Sequence, residues 1–502
     1  MLSASPSIVR LYSADEARSL DRAAIERHGI PGIHLMKRAG AAAFDALRAQ
    51  WPSARSLSVV CGAGNNAGDG WVVAGLARDR GFDVQLLQLG SAAPLRGDAA
   101  LARDWAQAHG VSHEEWTDGS DGAQLRGEVV VDALLGTGAK GPPRPGYARA
   151  IERINTSGHG VLAVDLPSGV AADTGHTAGA AVAADVTVTF IGAKRGLYTG
   201  AGVDCAGSVV YADLGVPRAV FDAVPGVAAL RWQAVRASLR ERPRSAHKNR
   251  FGHVLVIGGD AGMGGAVAMT AEAALRVGAG LVSVATRPNH VAPLLARRPE
   301  LMVRGLDDPT ELDALLARAS VIAVGPGIGR SPWAEALFQR AVDAAIGAGK
   351  PIVIDAEALT LLAQTPRRLP DQTVLTPHPG EAARLLGVSV ADVQSDRFGA
   401  AQTLATRFGA RVVVKGAGSV LAAPGQILGV CLDGNPGMAT AGTGDVLTGV
   451  VAGLLAAGAG TDDALRLGVC LHAAAGDLAA RDGMRGLLAT DVLACLRRAL
   501  DG

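Results

Sequence analysis

Gly434-Asn435-Pro436-Gly437-Met438-Ala439-Thr440-Ala441-Gly442-Thr443-Gly444-Asp445 is followed by the apolar run Val446 to Leu455. Small residues followed by an apolar run read as a loop that opens a helix. Gly442, Thr443, Gly444 and Asp445 then lie near the helix N-terminus. The N–H groups there have no intrahelical partner and can face an anion. An Asp beside such an anion site would repel phosphate unless it has a task. Taking a proton from a hydroxyl that attacks phosphorus is one such task. Capping a core helix is the other reading of the same Asp.

Working outward, the chain repeats the theme of a short apolar strand running into a glycine-rich turn. Downstream of residue 250 the strands are Val254 to Ile257, Leu281 to Ala285, Val321 to Val324, Ile352 to Asp355, Val374 to Thr376 and Val412 to Val414. They enter Gly258 to Ala266, Gly325 to Gly329, Pro377-His378-Pro379-Gly380-Glu381 and Lys415 to Ser419. No GK[ST] occurs, so there is no Walker A, and phosphates must be held by backbone amides.

The first half shows the same grammar. Ser13 with Glu16 is a capping box opening a helical stretch to about residue 50, broken at Pro31-Gly32. Strand Ser56 to Cys61 enters Gly62 to Gly70, and Trp71 to Asp79 is expected to be the helix that follows. Further strands are Val84 to Leu89, Glu128 to Asp132, Val161 to Asp165 and Asp185 to Phe190, short and apolar as buried parallel strands are. Polar residues stand at three strand ends: Asn65, Asn66 and Asp69; Asp132 with Gly136-Thr137-Gly138; and Asp165 with Ser168. Ligands of open parallel sheets bind at those ends. Oxygen donors of this kind suit a hard cation. Between about Gly215 and Asn249 the pattern loosens, which marks a boundary.

The 502 residues are too many for one core. With 49% apolar residues, 19% charged residues and net charge +1, the composition is globular and gives no sign of a nucleic-acid partner. Five scattered cysteines without a CxxC fit a reducing cytoplasm. No signal peptide is read at the N-terminus, and Val446 to Gly460 is shorter than the ~18 residues of a membrane span. His109 and His113 have helical metal-ligand spacing but lack the surrounding motif.

Gly64-Asn65-Asn66-Ala67-Gly68-Asp69-Gly70, Val131 to Gly138 and Asp165 to Gly169 resemble the GNNGGDG, VDALLGTG and D-[IL]-PSG signatures of the NAD(P)H-hydrate epimerases. Ala67 stands where that family has Gly, and Lys37 where it usually has Glu. Asn435 to Asp445 is identical to the NPGMATAGTGD of the ribokinase-like NAD(P)H-hydrate dehydratases, and Thr376 to Glu381 to their TPHPGE. The whole chain thus resembles the bifunctional NAD(P)H-hydrate repair enzymes.

That resemblance implies a Rossmann-like epimerase domain over residues 1–225 and a ribokinase-like dehydratase domain over 226–502. In the first, Asn65, Asn66, Ala67, Gly68, Asp69, Gly136, Thr137, Gly138, Ala139, Lys140, Gly141, Pro142 and Asp165 would hold the hydrated nucleotide. Asn66, Asp132 and Ser168 would hold K+, and Asp165 would be the acid/base. In the second, Lys415, Gly416, Ala417, Gly418, Ser419, Asn435, Pro436, Gly437, Met438, Ala439, Thr440, Ala441, Gly442, Thr443 and Gly444 would bind ADP, with Mg2+. Ala266, Gly327, His378, Pro379, Gly380, Glu381, Arg384 and Asp445 would bind the hydrate, with Asp445 as base. Other implied properties are small-molecule substrates only, no nucleic acid, no membrane, a homo-oligomer and a cytoplasmic location.

Overall fold

The structure is a computed structural model, and it describes residues 9–89, 95–116, 124–139 and 141–501. The chain forms two compact units, one ending at Ala228 and the other beginning at Ala229.

The first unit is built on a seven-stranded sheet in the order Glu114–Trp116, Asp83–Leu89, Ser56–Cys61, Val129–Ala133, Gly160–Val164, Val186–Phe190, Ser208–Ala212. Every pair is parallel. The β-branched run Val129-Val130-Val131 is buried on both faces, as a central parallel strand must be. From Ser56–Cys61 the chain builds first toward one edge, then returns to lay Val129–Ala133 on the other side. The crevice between these two strands is the switch point of the sheet. The Ser13 capping box forms: Ser13 Oγ accepts from Glu16 N–H, and Glu16 Oε2 from Ser13 N–H. Helices Ala14–Arg22 and Gly32–Gln50 follow on either side of Pro31.

One expectation is corrected. The helix after Ser56–Cys61 starts at Asn65, not Trp71, so the Gly- and Asn-rich residues are its first turns. Intrinsic propensity predicts a loop there, but burial of Asn66, Ala67 and Gly68 against the core wins. Ala67 is fully buried inside this helix and is not among the left-handed residues, so its Cβ is accommodated. Lys37 lies with its ammonium 4.9 Å from the centre of the Trp105 ring, a cation–π contact.

The second unit carries Gln426–Cys431, Ser419–Ala423, Arg411–Val414, Thr373–Leu375, Ile352–Ile354, Val321–Val324, His253–Ile257, Leu281–Thr286 and Met302–Gly305 in that order across its sheet. The first two form an antiparallel hairpin that also pairs antiparallel with Arg411–Val414; the remaining pairs are parallel. The Ser419 to Cys431 hairpin was not anticipated. Its turn is Pro424-Gly425, with Gly425 at φ 80, the glycine that a Pro-Gly turn requires.

The helix announced by the glycine loop runs Thr443–Ala456 and packs along Gly264–Val277. A Cβ at Gly449 would stand 2.1 Å from Thr270 O, and one at Gly453 2.4 Å from a Val277 methyl. These two glycines, one turn apart, let the helices touch backbone to side chain. Among the described residues no helix is long and apolar enough to cross a membrane.

Candidate active sites

In the first unit a cavity of about 550 Å3 opens at the switch point. Asn65, Asn66, Asp69, Gly136, Thr137, Gly138, Ala139 and Asp165 all line it. Gly141 and Pro142 line an adjoining cavity of about 610 Å3 that shares Gly136 to Ala139. Lys140 lies outside the described residues. Asp132 and Ser168 form a buried pair beneath. Ser168 Oγ donates to Asp132 Oδ1 at 2.6 Å, and the Ser168 and Leu134 amides donate to the same carboxyl. Burial pushes the Asp132 carboxyl up to about 6, against the pull of those hydrogen bonds. Asn66 Nδ2 donates to Leu135 O at 3.1 Å, while its Oδ1 is buried with no hydrogen-bond partner.

Among the charged residues of this cavity that carried no sequence signal are Lys194 and Asp21. Lys194 is 4% exposed, forms an ion pair with Asp165 Oδ1 and donates to Phe190 O at 3.0 Å. Asp21, on the first helix, is open to the cavity. Although Asp21 is exposed there, the surrounding protein desolvates its carboxyl and pushes it up, Lys194 pulling down and Asp165 pushing up. Burial raises Asp69 as well, with Asp165 and Asp21 adding to it. Asp21, Asp69 and Asp165 thus all feel the Lys194 ammonium, while Arg18 and Asp98 line the same cavity. The backbone is strained around them. Asp165, Ile191 and Leu214 have φ of 64, 52 and 54, and all three line the cavity. Left-handed non-glycine residues gather where function holds them.

In the second unit Gly442, at φ 89, turns the chain into helix Thr443–Ala456. Thr443 Oγ1 bonds back to the carbonyls of Met438 and Thr440, closing the loop on itself. Asn435 Oδ1 accepts from Gly437 N–H, and Asp477 accepts from both Gly434 N–H and Asn435 Nδ2. Asp477 is thus a support that the motif did not reveal. Thr270 Oγ1 donates to the Asp445 carbonyl at 2.9 Å and fixes the turn that carries the carboxylate.

Lys415, at the end of Arg411–Val414, reaches the same place. Its Nζ lies 2.9 Å from Asp355 Oδ1 and 3.9 Å from Glu381 Oε2. A Cβ on Gly444 would be 3.2 Å from that Nζ, so the ammonium sits at the helix start. The loop after Lys415 is propped by Arg397, 1% exposed, which donates to Ala417 O and Val414 O. Ser419 Oγ bonds Gly416 O across it. His378 caps helix Pro379–Leu386: its Nδ1 accepts from Gly380 N–H, and its own N–H donates to Glu381 Oε2. Arg384 is exposed on the same helix. Ala266 and Gly327 meet at the switch point between His253–Ile257 and Val321–Val324. A Cβ on Gly327 would be 3.0 Å from that of Ala266.

Burial, with the charge of Asp355 next, pushes the Asp445 carboxyl up to about 7 against Lys415. Burial likewise pushes Glu381 up to about 7, again against Lys415. A partly protonated carboxyl beside an amide-lined, positively charged helix start is the arrangement of a general base for attack on phosphorus.

Comparison with known proteins gives the same division of the chain. Residues 32–196 match the family described as YjeF-related protein N-terminus, and residues 254–498 match NAD(P)H-hydrate dehydratase. The chain is 45% identical to the bifunctional NAD(P)H-hydrate repair enzyme of Coxiella burnetii, over 97% of this chain and 98% of that protein. The chain belongs to the bifunctional NAD(P)H-hydrate repair enzymes. The Escherichia coli member is 43% identical over 97% of this chain and 93% of its own length. A solved ribokinase-like superfamily protein from Enterococcus faecalis is 32% identical and superimposes with TM-score 0.51, covering 54% of this chain and 95% of its own. The second unit is therefore ribokinase-like, and both halves of the bifunctional chain are present.

Proposed function

We propose that the first unit interconverts the R and S hydrates of NADH and NADPH, and that the second dehydrates the S hydrate at the expense of ADP, giving NAD(P)H, AMP and phosphate. The observation that carries the second activity is the meeting of Asp445, Lys415 and the Gly442 to Gly444 helix start. Hydroxide is a poor leaving group and phosphate a good one. Asp445 takes the proton of the ring hydroxyl, whose oxygen attacks the terminal phosphorus of ADP as AMP leaves. The helix start and Lys415 oppose the charge that develops. Expulsion of phosphate and loss of the neighbouring ring proton restore the dihydronicotinamide. Mg2+ arrives on the nucleotide, since it favours phosphates and retained water over all-protein cages.

In the first unit Asp165, held by Lys194, is the acid/base at the hydrated carbon. Asn66, Asp132 and Ser168 suit K+. The buried Asn66 Oδ1, which accepts no hydrogen bond, is a free oxygen ligand, and among the described residues no ion pair reaches the fully buried Asp132 carboxyl. When bound, K+ would supply the positive charge that keeps Asp132 ionised. A cytoplasmic location and assembly into homo-oligomers belong to the same reading and are checked by fractionation and sedimentation.

The test is incubation with mixed R and S hydrates and ADP, following NADH absorbance and release of AMP. Complete recovery of NADH with stoichiometric AMP is expected. A phosphorylated product that accumulates without NADH would instead indicate a small-molecule kinase, the other chemistry that ribokinase-like folds host.

A further inference from the structure

One carboxylate of the second site has no task in that chemistry. Asp355 follows strand Ile352–Ile354 and is 1% exposed. Its Oδ1 accepts from Lys415 Nζ at 2.9 Å and its Oδ2 from Thr448 Oγ1 at 2.7 Å. Burial pushes its carboxyl up, but Lys415, with help from Thr448, holds it below the usual carboxylate range. The next residue, Ala356, has φ 51, strain that a non-glycine residue rarely bears and that functional sites retain. A Cβ on Gly444 would be 3.2 Å from Lys415 Nζ and 3.7 Å from Asp355 Oδ2, so the pair lies against the residue preceding Asp445. Thr448 stands three residues after Asp445 on the same helix, which therefore carries the base and also binds the partner of Lys415.

Lys415 has three carboxylates to choose from: Asp355, Glu381 and Asp445. Pairing with Asp445 would neutralise the base and withdraw the ammonium from phosphate. We propose that Asp355 is a positioning residue of the dehydratase site, holding Lys415 Nζ at Gly444 to face the terminal phosphate and keeping it off Asp445. This rests on the dehydratase reading above. The charged groups that face Asp445 are Asp355, Lys415, Glu357 and Glu381. The helix Gly264–Val277 contributes the uncharged Thr270. Helix Thr461–Ala479 contributes His472, which burial lowers to about 4 and so keeps neutral.

Two substitutions then act on Asp445 in opposite senses. Asp355→Asn removes a negative neighbour and frees Lys415 to approach Asp445, so the carboxyl loses its proton more readily. Lys415→Met removes the positive neighbour, so the carboxyl holds its proton more firmly. The experiment uses the full chain, pure S hydrate and saturating ADP, with kcat/KM measured against pH and ADP affinity by calorimetry. For Asp355→Asn the acid limb should move down by about one pH unit, and for Lys415→Met up by about as much. ADP should bind Asp355→Asn on the order of tenfold more weakly, a loss of one well-placed charged contact. Because Asp355 acts through Lys415, adding Asp355→Asn to Lys415→Met should weaken ADP binding no further. That double variant removes both members of the Asp355–Lys415 pair, so it gives the answer even if Asp355→Asn fails to fold.

Acid limbs that stay put or move in the same sense overturn the proposal, as does a double variant whose ADP loss is the sum of the singles. Failure of wild type to convert S hydrate with ADP removes the dehydratase reading itself, and is told apart because it appears before any variant is made.

Discussion

Asp445→Asn should abolish most dehydration and at the same time stabilise the fold. The Asp445 carboxyl is pushed up to about 7 by burial and by Asp355. A base with that pKa is about one-tenth ionised at about pH 6 and about nine-tenths at about pH 8, so wild-type kcat/KM should rise roughly tenfold across that interval. Asn takes no proton. Its rate should lie about a hundredfold or more below wild type and stay flat over the same range. Stability has the opposite sign. The folded carboxyl binds its proton more tightly than the unfolded one, so its contribution is complete below about pH 4 and is lost as pH rises through about 7. The shift from 3.8 to about 7 corresponds to about 4 kcal/mol at about 1.4 kcal/mol per unit. Solvent reaches the carboxyl from the site, so about half of that, about 2 kcal/mol, is the expected difference. Denaturant melts at about pH 8 should show Asp445→Asn more stable by that amount, with the gap closing toward about pH 4. Such a gain on losing an active-site charge is the usual trade between stability and activity. Wild-type-like turnover in the variant, or equal stability at both pH values, would refute the reasoning.

The first unit offers three further tests. Asp132→Ala should weaken epimerisation and its response to added K+ while leaving dehydration of pure S hydrate unchanged; equal loss of both activities would count against separate sites. Asp165→Asn, given mixed epimers and ADP, should convert the S epimer quickly and then creep at the uncatalysed rate. Single-phase, complete conversion would remove Asp165 from epimerisation. Lys194→Met leaves Asp165 buried without its cation and should cost about 3 kcal/mol in chemical melts, the scale of a broken buried pair. The double variant Lys194→Met with Asp165→Asn should recover most of that stability but not the epimerase activity, and a double variant as unstable as the single would show that the pair is not what Lys194 contributes.

Much of the architecture was written locally. Short apolar strands, the Ser13 capping box and the Pro-Gly breaks are interactions within a few residues, and they recur in the structure with ends shifted by one or two positions. Asn435 to Asp445 was legible for the same reason: a glycine loop and the helix start after it are one contiguous segment. In one place a contact from elsewhere overrides local preference. The helix was expected at Trp71 and starts at Asn65, because tertiary burial outweighs the poor propensity of Asn and Gly. The Pro424-Gly425 hairpin left a turn signal that could have been used.

Which charges meet depends on residues far apart in the chain. Asp355 and Lys415 are 60 residues apart, and Thr448 and Asp355 are 93 apart. Lys194 had no motif around it, yet its pairing with Asp165 fixes the charge balance of the first cavity. The left-handed residues Asp165, Ile191, Leu214 and Ala356 could not be read from residue type, since none is a glycine. The two α/β units, their glycine loops and the candidate carboxylates Asp165 and Asp445 were legible in residue order alone. The pairing of those carboxylates with Lys194 and Lys415 was settled by strand order, because the order in which parallel strands lie side by side brings distant loop ends to one edge of a sheet.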